Sequence, residues 1–197
     1  MTERFCRFQD MDLRSLMLLR LPHKRYMHSL AVARRAWELA MRNKEGGERA
    51  YFAGLIHDLC KCLPMDEQLH WARSGDIIPD EEDLSVEGVV HQYAAAEFAA
   101  LELKVTDEEI LDAVRWHSTG RANMSTLGKI IYLADLSSHD REFPDLEEIR
   151  EISNRSLDEG MAYCVKRRCE HLLEKGEKLL PKQKECFMAY VGEDDVS

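Results

Sequence analysis

Across residues 24–42 the apolar side chains Tyr26, Leu30, Ala33, Trp37, Ala40 and Met41 recur with the 3.6-residue period of one helical stripe. His28 lies on the other side of that helix, near Val32 and Leu39, which predicts a helix covered on two faces. After the breaker Gly46-Gly47 a second helix is predicted over residues 48–61, stopped or redirected by Pro64, and a short one over residues 65–73. Residues 75–85, with Gly75, Pro79 and Asp80-Glu81-Glu82-Asp83, read as a loop. Residues 86–103 read as a helix that Ser85 is placed to cap, although Gly88 leaves the capping box incomplete; Ala94-Ala95-Ala96 permits close packing. Thr106 with Glu109 three residues on matches a full capping box, opening a helix that reaches His117. Ser125 opens another, running to about Asp140, and Pro144 separates it from residues 146–154. A last long helix is predicted over residues 158–180. Residues 185–191 have room for one or two further turns, and the acidic residues 192–197 are expected to fray. Val and Ile fall in helical spacing throughout, so the fold class predicted is all-α.

Length and charge narrow this picture. A chain of 197 residues that is 45% hydrophobic is expected to form one domain, residues 1–181, with a C-terminal tail at 182–197 carrying a short helix. With 27 basic and 37 acidic residues the net charge is −10. This excludes a nucleic-acid polymer as the expected partner, because such binding rests on clustered Lys and Arg neutralising phosphates. A small polyphosphate stays compatible, since a buried metal pair supplies local positive charge. Residues 1–12 carry several charges and no signal-peptide core. The early apolar run at residues 16–21 is broken by Arg20 and is far too short to span a bilayer. The expectation is a cytoplasmic protein with no membrane partner; a homodimer is one option the sequence leaves open. The six cysteines show no disulfide or zinc-ribbon spacing. Cys60 and Cys62, two apart on a helix, point to different sides and read as reduced thiols.

The unusual polar residues in this pattern are His28, His57, Asp58, His91, His117 and Asp135. Any one histidine on an apolar face is more often a satisfied core residue than a ligand, and His117, in line with Ile110 and Val114, illustrates that alternative. Asp135 is harder to explain so, because it continues the face of Gly128, Ile131 and Tyr132, and a buried carboxylate needs a cation or several donors. His57-Asp58 interrupts Gly54-Leu55-Ile56-His57-Asp58-Leu59-Cys60-Lys61. Adjacent helical positions diverge by about 100°, so both reach one site only at a helix edge or end. Gly54, one turn earlier, lets a helix or ligand approach. Imidazole with carboxylate suits iron, manganese or zinc better than calcium.

The order His28, His57-Asp58, Asp135 resembles the HD-domain metal phosphohydrolases, with His91 and His117 similar to the extra ligands of the two-metal subclass. The likeness narrows at Arg25-Tyr26-Met27-His28-Ser29, at His57-Asp58 with Lys61 and Pro64, and at Arg115-Trp116-His117-Ser118-Thr119-Gly120-Arg121 with Met124-Ser125. It continues through Lys129-Ile130-Ile131-Tyr132-Leu133-Ala134-Asp135 and Arg141 with Phe143-Pro144. These motifs span residues 24–150 and resemble the YqeK-type family of symmetrical bis(5′-nucleosyl)-tetraphosphatases. The resemblance implies an all-helical HD-domain bundle around a buried dinuclear metal site, two iron ions with manganese or zinc as alternatives. It implies hydrolysis of a small nucleotide substrate, diadenosine tetraphosphate, to two ADP. Carried over residue by residue, it implies that His28, His57, Asp58 and Asp135 hold one metal, and that His91 and His117 complete the second, with Asp58 bridging. Lys61 and Arg121 are the expected stabilisers of phosphate charge, with Arg141 third. Gly120 would bring the loop backbone close to the phosphates, and Thr119 would hydrogen-bond one.

Two stretches depart from the family pattern: Gln92-Tyr93 stand where Gly-Pro is usual, and Ser137-Ser138-His139 where Ile-Glu-Pro is usual. The expectation is that they alter the nucleotide-facing wall; His139 itself reads more plainly as a solvated histidine. The alternative activity is that of an HD phosphohydrolase acting on a mono- or triphosphate or a cyclic nucleotide. A non-catalytic nucleotide sensor is the third reading, disfavoured by the intact ligands.

Overall fold

The computed structural model describes residues 12–192. The charged start and most of the acidic end expected to fray lie outside the described residues. Within them the periodic segments are helices: α1 (Leu13–Arg20), α2 (His23–Arg42), α3 (Gly47–Ile56), α4 (Met65–Ala72), α5 (Glu81–Leu84), α6 (Glu87–Leu101), α7 (Glu108–Arg115), α8 (Thr126–Ser137), α9 (Leu146–Arg155), α10 (Leu157–Glu174) and α11 (Pro181–Tyr190). No strand occurs among the described residues, so the all-α expectation holds.

The departures from the sequence reading lie mainly at helix ends. α3 stops at Ile56 rather than Lys61, and residues beyond it turn more tightly, with Leu59 N–H donating to the Ile56 carbonyl (3.1 Å) and Lys61 N–H to that of Asp58 (2.9 Å). Asp107, not Thr106, caps α7: its carboxylate accepts from the N–H groups of Glu109 and Ile110 at 3.1 and 3.3 Å. α7 ends at Arg115, before His117, and α8 ends at Ser137 rather than near Asp140. α10 ends at Glu174, well before Leu180, because Gly176 takes a left-handed φ of 75°. The Gly176 N–H reaches the Leu173 carbonyl at 2.9 Å and that of Glu177 the Leu172 carbonyl at 2.9 Å, closing the helix. α1 and α5 are additional; α5 lies in the segment read as a loop. Ser85 ends α5 instead of capping α6, whose first turn follows Val86. Ser125 does cap α8, accepting from Gly128 N–H at 3.0 Å.

α2 packs along α3 and across α8, and both α3 and α8 meet α7. α6 lies between α4 and α7, and α10 closes on α8, α9 and α11. α2 is covered on two faces, and the expected stripe is buried at Tyr26, Ala33 and Ala40 but not at its Trp37 and Met41 positions. Val32, Ala33, Ala36, Leu39 and Ala40 are fully buried, whereas Trp37 and Met41 stay 37% and 60% exposed. Trp37 lies over the backbone of Gly47, where a Cβ would come within 3.1 Å of its ring. Gly54 is the tightest contact between α2 and α3: a Cβ there would stand 2.7 Å from Ala33 Cα. A side chain at that position would push apart the two helices that carry His28 and His57. Cys60 is buried and Cys62 exposed, on different sides as expected, and burial pushes the Cys60 thiol up to about 12. No helix among the described residues is long and apolar enough to cross a membrane.

The α7 cap carries a testable electrostatic contribution. Arg49 grips Asp107 with two hydrogen bonds of 2.8 Å, and these, before the helix N–H groups, lower the carboxyl below its usual 3.8. A carboxylate depressed in the folded state stabilises above its unfolded pKa, and that contribution disappears as pH falls through the folded value. Asp107→Ala is therefore expected to cost about 2 kcal/mol near neutral pH, roughly half from the cap and half from the ion pair. In chemical denaturation the gap between wild type and variant should narrow below about pH 3.8. A gap independent of pH would show that the charge on Asp107 contributes nothing.

Candidate metal centre

Five structural elements bring the six candidate ligands together. α2 carries His28, the turn after α3 carries His57-Asp58, α6 carries His91, the turn after α7 carries His117, and α8 carries Asp135. The early end of α3 resolves the difficulty of two adjacent ligands. His57 occupies the C-cap and Asp58 the tight turn beyond it, so both reach the same interior point. His57, Asp58, His91, His117 and His28 are all at most 4% exposed.

Each histidine but one is held by its Nδ1. The Nδ1–H of His57 donates to the Gly54 carbonyl at 2.7 Å and that of His117 to the Val114 carbonyl at 2.7 Å. His28 Nδ1 lies 2.7 Å from Asp140 Oδ2. A carbonyl cannot donate, so the partner fixes the tautomer and leaves Nε2 with a lone pair aimed inward, the pattern of a buttressed metal ligand. His57 Nε2 is buried and has no hydrogen-bond partner. His28 Nε2 faces Asp135 Oδ1 at 2.9 Å, an approach that requires a proton or a cation between them. The donor atoms fall into two groups, His28 with His57 and Asp58, and Asp58 with His91 and His117, each with all its donor atoms within 4.8 Å of one another. Asp58 is common to both. Donors that bind one ion at about 2.0–2.2 Å lie at such separations, and imidazole with carboxylate suits divalent transition metals. The residues therefore fit a metal.

The electrostatics agree. Burial opposes ionisation of Asp58, yet the surrounding imidazoles, His57 first and then His117 and His91, outweigh it and hold the carboxyl well below the usual range. Burial likewise opposes ionisation of Asp135, which hydrogen bonding to His28 and the Arg141 guanidinium hold low. Two ionised carboxylates in an interior call for compensating cations. Burial pushes His91 down to about 3 and also lowers His117, so both are neutral imidazoles with lone pairs to offer.

Asp58, His91, His117 and Asp135 open onto a cavity of about 280 Å³ whose other polar walls are Arg25, Lys61, Ser118, Arg141 and Arg168. Lys61 Nζ lies 3.0 and 3.1 Å from the two ring nitrogens of His91. Arg25 Nη1 donates to Asp58 Oδ2 at 2.9 Å, and Arg141 donates to Asp135. Lys61 and Arg141 are thus where the sequence expectation put them. Arg121, Thr119 and Gly120 are not. Arg121 Nη2 donates to Asp112 Oδ2 at 2.8 Å, outside the cavity, and Trp116 Nε1 donates to the other oxygen of Asp112 at 2.9 Å. Thr119 is turned away onto Gln92, and Gly120, at φ 67°, backs against Cys186, whose sulfur would stand 2.6 Å from a Cβ. Within the segment that carries the specific motif, Ser118 reaches the cavity, while Thr119, Gly120 and Arg121 brace the turn behind His117.

The two departures from the family pattern also lie behind the ligands. Gln92 Oε1 accepts from the N–H groups of Ser118 and Thr119 at 3.0 and 3.1 Å, and its Nε2 donates to Thr119 Oγ1 at 3.0 Å. Ser138 Oγ donates to Asp140 Oδ1 at 2.7 Å, steadying the carboxylate that holds His28. Ser137 donates to the Leu133 carbonyl at 2.7 Å and accepts from Arg35 Nε at 2.9 Å. Gln92 thus braces the turn that carries His117 and Ser138 the carboxylate that holds His28, and neither lines the cavity. His139 is exposed, 3.3 Å from Glu38. The sequence reading missed Arg25, Asp140 and Arg168. Arg25 was recoverable, since it lies three residues before His28 on the same helical face. For Arg168, an ordinary-looking arginine on α10, no local signal exists.

Comparison with known proteins agrees with this geometry. Residues 25–139 match the family model described as HD domain. A Bacillus subtilis protein named bis(5′-nucleosyl)-tetraphosphatase, symmetrical, is 31% identical over 86% of this chain and 89% of its own. A Staphylococcus aureus protein of the same name is 30% identical over 89% of this chain and 91% of its own. The crystal structure of a Clostridium acetobutylicum protein, described as a predicted HD superfamily hydrolase involved in NAD metabolism, superposes with a TM-score of 0.87. It is 31% identical and covers 91% of this chain and 95% of its own.

Proposed function

The chain belongs to the HD-domain family, and from that premise we propose that it is a metal-dependent hydrolase cutting a symmetrical dinucleoside tetraphosphate, diadenosine tetraphosphate first, into two nucleoside diphosphates. One observation carries this reading: two ligand groups that share Asp58 open onto a cavity lined by four cationic side chains, Arg25, Lys61, Arg141 and Arg168. A catalyst for an anionic polyphosphate needs such a concentration of positive charge, in a protein whose net charge is −10.

In this reading His28, His57, Asp58 and Asp135 hold one ion, and Asp58, His91 and His117 hold the other. Iron is the first choice, with manganese and zinc compatible with the same donors. When bound, such a pair supplies Lewis acidity and a nucleophilic oxygen at neutral pH. The side chains of this protein do the rest. Lys61 and Arg168 are available to the phosphate chain, Lys61 as a compact charge beside His91 and Arg168 as a planar fork beside Ser118. Arg25 and Arg141 neutralise the two carboxylates and face the same cavity. Asp140, Gly54 and Val114 hold three imidazoles in the orientation the site requires. The reading places the reaction in the cytoplasm.

Product analysis tests it. Metal-loaded protein incubated with diadenosine tetraphosphate is expected to give ADP alone. Release of AMP with ATP would exclude symmetrical cleavage. Inertness toward the dinucleotide with turnover of a mononucleotide or cyclic nucleotide would move the protein to another phosphohydrolase activity.

A further inference from the structure

A second cavity, of about 550 Å³, adjoins the cation-lined one, and Leu136, Phe143 and Arg168 are walls of both. The larger cavity lies between the loop after α8, α9 and α10. Its volume falls within the roughly 300–1,000 Å³ typical of small-molecule sites. Its character changes with distance from the metal ligands. Next to them stands Arg168, with Nη2 3.2 Å from Ser118 Oγ. Farther out, Ile149, Cys164 and Leu172 supply an apolar lining beside the polar Glu170, His171 and Glu174. Phe143 is half-buried there, and the Arg167 guanidinium carbon lies 4.9 Å from its ring centroid while Arg167 Nε holds Asp145 at 2.5 Å. A cationic end leading to an apolar compartment with an aromatic ring and a planar guanidinium matches the two ends of a nucleotide: phosphates at one, a flat base able to stack at the other.

We propose that the cavity between the α8–α9 loop and α10 is the nucleoside subsite of this enzyme, with Phe143 and the Arg167 stacked on it forming one wall against the base and Arg168 at the junction holding the phosphate nearest the ribose. The occupant is one nucleoside half of the substrate, retained as part of the nucleoside diphosphate product. This rests on the hydrolase reading for the identity of the phosphate end. The location of the base follows from the walls the two cavities share.

Binding, not turnover, tests it. Titration calorimetry of the metal-loaded full chain would compare ADP with methylenediphosphonate, which carries two linked phosphorus groups and no nucleoside. Phe143→Ala removes the stacking ring, and Leu172→Trp fills the compartment from the partly exposed side of α10. Each is expected to weaken ADP about tenfold or more, in line with the worth of base–aromatic stacking, and to leave the diphosphonate within about twofold. Unchanged ADP affinity in both variants would overturn the proposal. So would parallel loss of both ligands, which would mean damage to the phosphate end. Circular dichroism and metal content verify that each variant folds. If the wild type instead releases AMP and ATP from the dinucleotide, the symmetrical reading fails, while the contrast between ADP and the diphosphonate still decides the subsite.

Discussion

Replacing Asp58 by alanine is expected to remove two metal ions per chain, whereas His28→Ala and His91→Ala are each expected to remove one. The two carboxylate oxygens are divided between the groups. Oδ2 lies 3.5 Å from His57 Nε2 and 3.9 Å from His28 Nε2; Oδ1 lies 3.3 Å from His91 Nε2 and 3.6 Å from His117 Nε2. Loss of a terminal ligand leaves the neighbouring ion its own donors. Loss of a shared carboxylate withdraws charge and a donor from both. Hydrolysis by Asp58→Ala should fall by about 10³-fold or more, since each 1.36 kcal/mol lost from transition-state stabilisation is a factor of ten. Metal analysis by mass spectrometry after gel filtration, with Asp58→Asn as a second variant that preserves shape, separates the cases. One ion retained in Asp58→Ala would refute the bridging role, and two retained would refute the site.

How far this centre was legible depends on what kind of signal each residue gave. His57-Asp58 and Asp135 stood out because their charge and polarity contradict an apolar periodic segment, a contradiction visible without a fold. Their convergence was legible only through the motif likeness, because the spacing alone left His57 and Asp58 about 100° apart on an assumed helix. Tight turns beyond Ile56 remove that obstacle, and they are built from residue types that would also continue a helix. Ser125 was readable as a cap because its hydroxyl competes locally for the backbone. The end of α10 was announced by Gly176, the residue type that takes a left-handed φ at a helix C-terminus, but the apolar period continuing to Leu180 masked it. The cations were the least legible. Arg121 stands in a specific motif and Arg168 does not, yet folding turns the first onto Asp112 and carries the second to the cavity. A long flexible side chain reports its destination only when its neighbours across the fold are known. Gln92 and Ser138 show the same limit from the other direction, since their hydrogen bonds to the His117 turn and to Asp140 are not announced by the sequence.

The contrast between Lys61 and Arg121 gives the second large expected effect. Lys61 lines the cavity beside His91, and burial, its largest influence, lowers its pKa, although the charges of Asp58 and Asp135 work to keep the proton. An ammonium desolvated next to a phosphate is worth far more than one in water, because little bulk solvent screens it. Lys61→Met keeps the length of the side chain and removes the charge. It is expected to lower kcat/KM for the dinucleotide by about 10²–10³-fold, the magnitude seen when one preorganised donor to a developing charge is removed. Its metal content should remain that of the wild type, since Lys61 is not a ligand. Arg121, by contrast, is a brace. Its guanidinium completes a network through Asp112 to the Trp116 indole, which steadies the turn that presents His117. Arg121→Ala should therefore cost roughly 1 kcal/mol of stability, as a partly exposed ion pair does, with kcat/KM within about threefold of wild type once the protein is saturated with metal. Steady-state kinetics on both variants, normalised to bound metal, decides between the two arrangements. A loss at Arg121 as large as that at Lys61 would return Arg121 to the phosphate and require the turn after α7 to open toward the substrate. A near-neutral Lys61→Met would leave Arg168 as the principal phosphate contact.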